Sequence, residues 1–265
     1  MSAMADLERR FWCHLHRSSP KTIRTGDLVA SLSIAPRAEF LLLSRLARRR
    51  LVCRLRRGLY LVPPSIPAGD QWIPDDATVL AELMKDASAN WQISGLRAFS
   101  RYGWDDQIPV RTFVYNDRLS GTRSIASQTY DFAKLNRDRL GATTSILVPG
   151  REPLVFSSRA RSLLDAVYDW ERFNTLPRAY AWIESELRND RQFASELTDV
   201  ALRFGNQASL RRIGRALEIT QAPELLLRKI ERALNATSCY IPWNPTRPKR
   251  GRIDKRWMIL VNDST

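Results

Sequence analysis

Few side chains in this chain are spaced for catalysis, and many are spaced to hold a polyanion. Adjacent acids occur at Asp75-Asp76 and Asp105-Asp106, and Asp165 and Asp169 stand one helical turn apart. The first two pairs lie beside turn residues, where carboxylates commonly cap backbone amides. The third has no further ligand nearby in sequence, whereas a metal site needs several converging donors. The two histidines, His14 and His16, are two residues apart on a helical pattern and so face different ways. Cys13, Cys53 and Cys239 are odd in number and far apart. They suit a reducing compartment and form neither a disulfide framework nor a zinc knuckle. No phosphate loop ends in Gly-Lys-Ser/Thr, no His-Glu-x-x-His or Gly-x-Ser-x-Gly occurs, and no acid is followed two residues later by lysine. The chain therefore reads as a non-enzyme that uses no metal and no cofactor.

What remains is recognition by arginine, whose planar fork meets both base edges and phosphates. It is concentrated between Thr25 and Val62. Residues Thr25 to Leu32 predict a short helix with Thr25 as its N-cap. Ser33-Ile34-Ala35 is a turn, and Pro36 opens a second helix, where its missing N–H goes unneeded. Along that helix to Arg50, Phe40, Leu43, Leu46 and Ala47 share one face; Arg37, Leu41, Ser44, Arg45 and Arg48 share the other. After Leu51 the period becomes two, with Val52, Arg54 and Arg56 alternating with Cys53 and Leu55. Gly58 supplies a turn, and Leu59-Tyr60-Leu61-Val62 returns as a second strand.

Helix, turn, helix and basic hairpin make a winged helix-turn-helix. The DNA-binding residues this arrangement predicts are Arg37, Ser44, Arg45, Arg48 and Arg49 on the helix, and Arg54, Arg56, Arg57 and Tyr60 on the hairpin. The helix would read the groove, and the wing would hold flanking backbone without reading sequence. Asp6 to Arg17, with Leu7, Phe11 and Leu15 on one stripe and Trp12 beside them, predicts the supporting helix. A core of Phe11, Leu28, Phe40, Leu43, Leu46 and Leu59 is expected.

Composition points the same way. The net charge is +14 over 265 residues, 44% of them hydrophobic, and the isoelectric point is near 10.4 with a mean hydropathy of −0.34. Such a balance indicates a polyanionic partner. No apolar run approaches the ~20 residues of a membrane span, and Met1 to Arg10 carries acids and no continuous apolar core, so no signal peptide is expected. The expected setting is cytoplasmic, the expected partner double-stranded DNA (an operator, with inverted repeats left open), and no membrane.

The rest of the chain predicts a second, larger domain. Pro63 to Asp70 reads as a linker, separating residues 1–66 from 71–265. Strands are expected at 91–94, 110–115, 128–132, 143–148 and 154–156, with helices at 74–87 and 95–102. A mixed sheet would occupy about 71–156. A mostly helical half follows over 157–240, with helices beginning at Ser157 or Ser158, Pro177, Phe193, Gln207 and Glu224. A buried terminal strand is expected at 256–262. The fold class is α+β: an N-terminal winged helix-turn-helix, then a larger mixed α/β domain with a helical C-terminal half. Arg203, Arg211, Arg212, Arg215, Arg228, Lys229 and Arg232 make a second basic region, either solvated helix faces or a binding surface.

Several segments together resemble the AbiEi family of antitoxins. Arg56-Arg57-Gly58-Leu59-Tyr60 is similar to that family's basic Arg-Gly-x-Tyr hairpin, and Trp91 to Ala98 to the strand-to-helix opening of its second domain. Ser158 to Asp165 resembles its Arg-Ala-x-x-Asp helix, and Ala208 to Glu218 its later helix with an Arg-Arg-x-Gly core; Trp257 to Asn262 fits its last strand. The chain departs from the family at Arg48-Arg49-Arg50, where a glycine is usual, and at Ala35-Pro36, which replaces a polar cap. The resemblance implies a transcriptional repressor of its own operon that also counteracts a cognate nucleotidyltransferase-like toxin, in a type IV toxin–antitoxin and abortive-infection system. With it, Arg211, Arg212 and Arg215 become the expected antitoxin surface. Two other functions fit the residues: a stand-alone winged-helix regulator with a ligand-sensing second domain, and a nucleic-acid enzyme of a defence system.

Overall fold

The computed structural model describes residues 3–67, 71–107, 109–147, 149–150 and 152–262. Residues 68–70 of the expected linker and Val148 of an expected strand lie outside the described residues. Helices and strands alternate in an α+β arrangement. Helix α1 (Ala3–Ser18), strand β1 (Thr22–Arg24), α2 (Asp27–Leu32) and α3 (Pro36–Arg48) lead into a hairpin of β2 (Cys53–Arg56) and β3 (Leu59–Leu61). Next come α4 (Asp76–Asp86), β4 (Trp91–Ser94), α5 (Leu96–Arg101), β5 (Arg111–Asn116), β6 (Gly121–Ile125) and β7 (Gln128–Lys134). Strands β8 (Thr143–Ile146) and β9 (Leu154–Ser157) precede α6 (Arg159–Tyr168), α7 (Trp170–Phe173), α8 (Arg178–Asn189) and α9 (Phe193–Phe204). Helices α10 (Gln207–Ile219) and α11 (Glu224–Ala233) and strands β10 (Ile241–Pro242), β11 (Arg252–Asp254) and β12 (Ile259–Val261) end the chain. Two compact units result: one from Met1–Asn90, Arg118–Ala133 and Ile146–Leu154, the other from Trp91–Asp117, Lys134–Ser145 and Val155–Thr265.

In the first unit, α1, α2 and α3 bury Phe11, Leu28, Leu42, Leu43 and Leu46 completely or nearly so. A three-stranded sheet in the order β1-β3-β2 closes one side, all antiparallel. Removing this many side chains from water is the main stabilising term. Phe40, expected in this core, is 59% exposed. Residues 40 to 43 are four consecutive apolar side chains, which at roughly 100° per residue run around the whole helix. The pattern alone therefore does not choose a face, and Leu42 takes the interior position instead.

The start of α2 also differs from expectation. Thr25 does not cap it; Gly26 is the N-cap, with a φ of 107° that favours glycine, and no side chain of its own makes the cap. The orphan amides are met from α3: the buried Glu39 carboxylate accepts from Gly26 N at 2.7 Å and from Leu28 N at 2.9 Å. One acid thus ties the two helices of the turn together. Pro36 opens α3 as expected. Further along, Asp75 caps α4 by accepting from Thr78 N at 3.0 Å, and β6 pairs antiparallel with β7. Strand β6 has little apolar alternation, so no periodic signal announces it.

In the second unit, β5, β4, β9 and β8 lie side by side in that order, β4 antiparallel to β5 and parallel to β9. Ser158 caps α6 through Arg161 N. Helices α6, α8, α9, α10 and α11 bury Leu163, Leu164, Ile183, Leu197, Ile213 and Ile230 completely or nearly so. The terminal strand is shorter than expected, Ile259–Val261, and is the centre of a small sheet between β10 and β11. Trp257 ahead of it is fully buried against Gly214 of α10, where an added Cβ would lie 2.2 Å from the indole. Gly214 therefore admits a ring.

Candidate nucleic-acid interface

Four buried residues of α3, Glu39, Leu42, Leu43 and Leu46, leave the opposite face to solvent. That face carries Arg37, Phe40, Leu41, Arg45 and Arg48, all exposed, with Ser44 half-buried among them. Of the helix residues expected to bind DNA, Arg37, Arg45 and Arg48 have no acid partner among the described residues. Arg49 is different: its guanidinium pairs with Glu8 of α1 at 2.9 Å, so it fastens the helix end to its support. The exposed Leu41 lies on the arginine face as expected, whereas Phe40, expected in the core because long apolar side chains ordinarily belong there, is exposed as well.

On the hairpin, Arg54, Arg56 and Arg57 are exposed and Cys53 and Leu55 buried. The alternation holds from Cys53 to Arg56, although the register of β2 on β3 shifts between Arg54 and Arg56; Val52, expected on the arginine side, is buried before the strand begins. Arg56 is held: it donates to both Asp86 oxygens at 2.5 and 2.9 Å and to the carbonyl of Arg57 at 2.8 Å. Arg24 pairs with the same carboxylate. Hydrogen bonding from Arg56, aided by the two positive charges, holds the Asp86 carboxyl below its ordinary range. Arg54 and Arg57 have no acid partner among the described residues. Tyr60, expected to touch DNA, is only 5% exposed in the central strand, paired with Ile23 and Arg54. Its ring is part of the core, because all three residues of β3 are buried and both faces of the strand are therefore covered.

The arginines expected to form a surface on α10 are also placed otherwise. Arg211 and Arg212 are buried, and their guanidiniums donate to the carbonyls of Cys239 at 3.2 Å and Pro242 at 3.3 Å. Burial pulls the Arg212 pKa down. Arg215 is largely covered, pairs with Asp254 and lies over the Trp243 ring. These three hold the chain's last segment onto the helix and leave little for a partner to touch. Arg256 does the converse, donating from that segment to Glu218, Glu231 and Glu224 at 2.7 to 2.8 Å. The exposed cations of this unit include Lys249 and Arg250, in the loop before β11, and Arg252 at the start of that short strand.

The acids also have structural employment. Asp105 accepts from Gln107 N and pairs with Arg178. Asp165 is buried against Arg161 at 2.8 Å and accepts from Ser94 at 2.9 Å, and Asp169 accepts from the Tyr115 hydroxyl. Burial pushes the Asp165 carboxyl above its ordinary range, with Arg161 acting against it. Among the described residues no group of three or more His, Cys, Asp or Glu could hold a metal ion. No helix among them is long and apolar enough to cross a membrane.

No family model matches the chain, and no curated protein does. Among solved structures, the chain is similar to the RV2827C protein from Mycobacterium tuberculosis, with a TM-score of 0.59 and 13% identity, over 98% of this chain and 92% of that one. At that identity the likeness is one of fold.

Proposed function

We propose that the N-terminal segment is a winged helix-turn-helix that binds double-stranded DNA, and that the protein is a transcriptional repressor. The observation that carries this reading is one exposed helix face with three arginines that have no acid partner among the described residues, beside a hairpin with two more. Unpaired guanidiniums on the two elements that such a module offers to a duplex are the electrostatic footprint of phosphate and base contact. Arg37, Arg45 and Arg48 face the groove; Arg54 and Arg57 take flanking phosphates. Arg56 and Arg49 act through ion pairs that fix hairpin and helix.

The resemblance to AbiEi antitoxins extends the proposal: the repressed operon is the protein's own, and the remainder of the chain counteracts a nucleotidyltransferase-like toxin encoded beside it. The antitoxin surface then lies elsewhere than Arg211, Arg212 and Arg215, whose side chains are covered.

Two measurements test this. Binding of operator and scrambled duplexes across a salt series should show a steep, charge-dependent affinity; no binding at low salt rejects the DNA reading. Co-expression of toxin with an Arg37→Ala/Arg45→Ala/Arg48→Ala variant, driven from a promoter that the protein does not regulate, should still relieve growth arrest. Failure of the wild-type chain to relieve arrest under that promoter would mean that protection comes from repression alone, and loss of relief only in the folded variant would place these arginines in the toxin contact.

A further inference from the structure

Two large apolar side chains stand in water in the middle of the arginine face of α3. Phe40 is 59% exposed and Leu41 44%, with Arg37 one turn before them and Arg45 and Arg48 after. Single exposed hydrophobes are ordinary; an adjacent pair flanked by guanidiniums with no acid partner among the described residues is a composite surface with one apolar stripe and a cationic rim. An apolar protein partner covering the stripe would have to strip water from three cations without repaying them. The major groove of a duplex meets both demands. Phosphates flank it, and the apolar group on its floor is the thymine C5-methyl, which Phe and other apolar side chains contact. The two residues also belong to the N-terminal half of α3, the part of a recognition helix that reaches base edges. Glu39, buried between them and the α2 amides, fixes that end of the helix.

We propose that Phe40 and Leu41 are specificity-determining residues that read thymine methyl groups, making the preferred duplex one with thymine next to the arginine-contacted bases. This rests on the duplex-binding reading above. It assigns to the interface a selectivity that arginines cannot supply, since guanidinium forks choose guanine and ignore methyls.

The test selects duplexes from a random library with the full chain, then replaces each selected thymine by deoxyuridine, which removes the methyl alone. At one or two positions affinity should fall about fourfold, the fold-change corresponding to ~0.8 kcal/mol per buried carbon. In Phe40→Ala/Leu41→Ala, whose melting should match wild type because both side chains are exposed, the deoxyuridine penalty should vanish while salt-dependent binding persists. Leu41→Gln alone, which alters only one exposed side chain, should abolish the penalty at one position. Arg48→Ala should keep it. Selective binding with no deoxyuridine penalty at any position overturns the inference and leaves the DNA reading standing, as does a penalty retained by the apolar variants. A wild-type oligomer that dissociates in those variants, with no penalty in wild type, assigns the stripe to a second copy of the chain and overturns it too. Failure to select any duplex rejects both.

Discussion

Arg161 and Asp165 lie one turn apart, a spacing that on most helices marks a solvated pair worth a few tenths of a kcal/mol. Here both side chains are fully buried at 2.8 Å. The guanidinium also donates to the Arg139 carbonyl at 2.7 Å and lies over the Phe204 ring, and the carboxylate is met by Ser94 and Ser157. Removing one partner leaves a buried charge without its counterion, so Asp165→Ala should cost about 3–5 kcal/mol in urea unfolding. The double change Arg161→Met/Asp165→Leu should cost clearly less, because it buries no charge. Surface arginines should behave in another way. Arg48→Ala should lose roughly 1–3 kcal/mol at one operator position, whereas Arg57→Ala should weaken all duplexes alike and reduce the salt slope by about one unit. An unchanged slope for Arg57→Ala would remove it from the phosphate contacts.

At the level of elements, the α2–α3 turn depends on a single carboxylate. Glu39→Ala would leave the amides of Gly26 and Leu28 without their acceptor, one of them buried. Each such loss costs about 1–3 kcal/mol, so melting should fall and the presentation of α3 should loosen with it. Glu39→Gln, which keeps an acceptor oxygen, should lose less. The hairpin has its own fastening in Asp86, whose folded pKa lies below its ordinary value through Arg56 and then Arg24. A depressed acid stabilises fully above its unfolded pKa, near ~4, and that contribution disappears as pH falls through the lower folded value. Both arginines remain partly exposed, so the pair is worth only about 1 kcal/mol. Asp86→Asn should therefore be less stable than wild type by that amount at pH 7, with the difference closing below pH ~4. Equal stability at both pH values would make the pair energetically idle.

At the scale of the molecule, the core built by α1, α2, α3 and the β1-β3-β2 sheet draws all its buried members from between Leu7 and Val62. A fragment of residues 1–66 should accordingly fold, as circular dichroism would show. The fragment lacks Asp86, the partner of Arg24 and Arg56, and Glu152, the partner of Lys21. It should therefore melt below the intact chain, and adding back α4 in a 1–90 fragment should recover part of the loss. A helical signal absent from the 1–66 fragment would mean that the core cannot close by itself. On the proposed DNA reading, exposed cations outside residues 1–90 should make binding by the full chain, of net charge +14, more salt-sensitive than binding by either fragment.

The chain's periodicity was enough to locate most helices and many strands. Residues 193–204 and 207–219 are helical because apolar side chains recur at helical spacing, and Asn206 caps the second by accepting from Ser209 N. Proline at 36 and glycine at 58 mark a helix start and a hairpin turn by what their backbones permit. Charge sign and the arginine-rich face of α3 were equally legible. Tertiary structure alone decided which of several similar side chains met water. Phe40 was turned outward because Leu42 filled the interior. Arg211 and Arg212 were turned inward because carbonyls from residues 239 and 242 cover them. Arg56 was held by an acid thirty residues away. A one-dimensional pattern records how often a residue type recurs along the chain; whether an arginine is free, paired or buried depends on which distant atoms arrive beside it, and those contacts have no period.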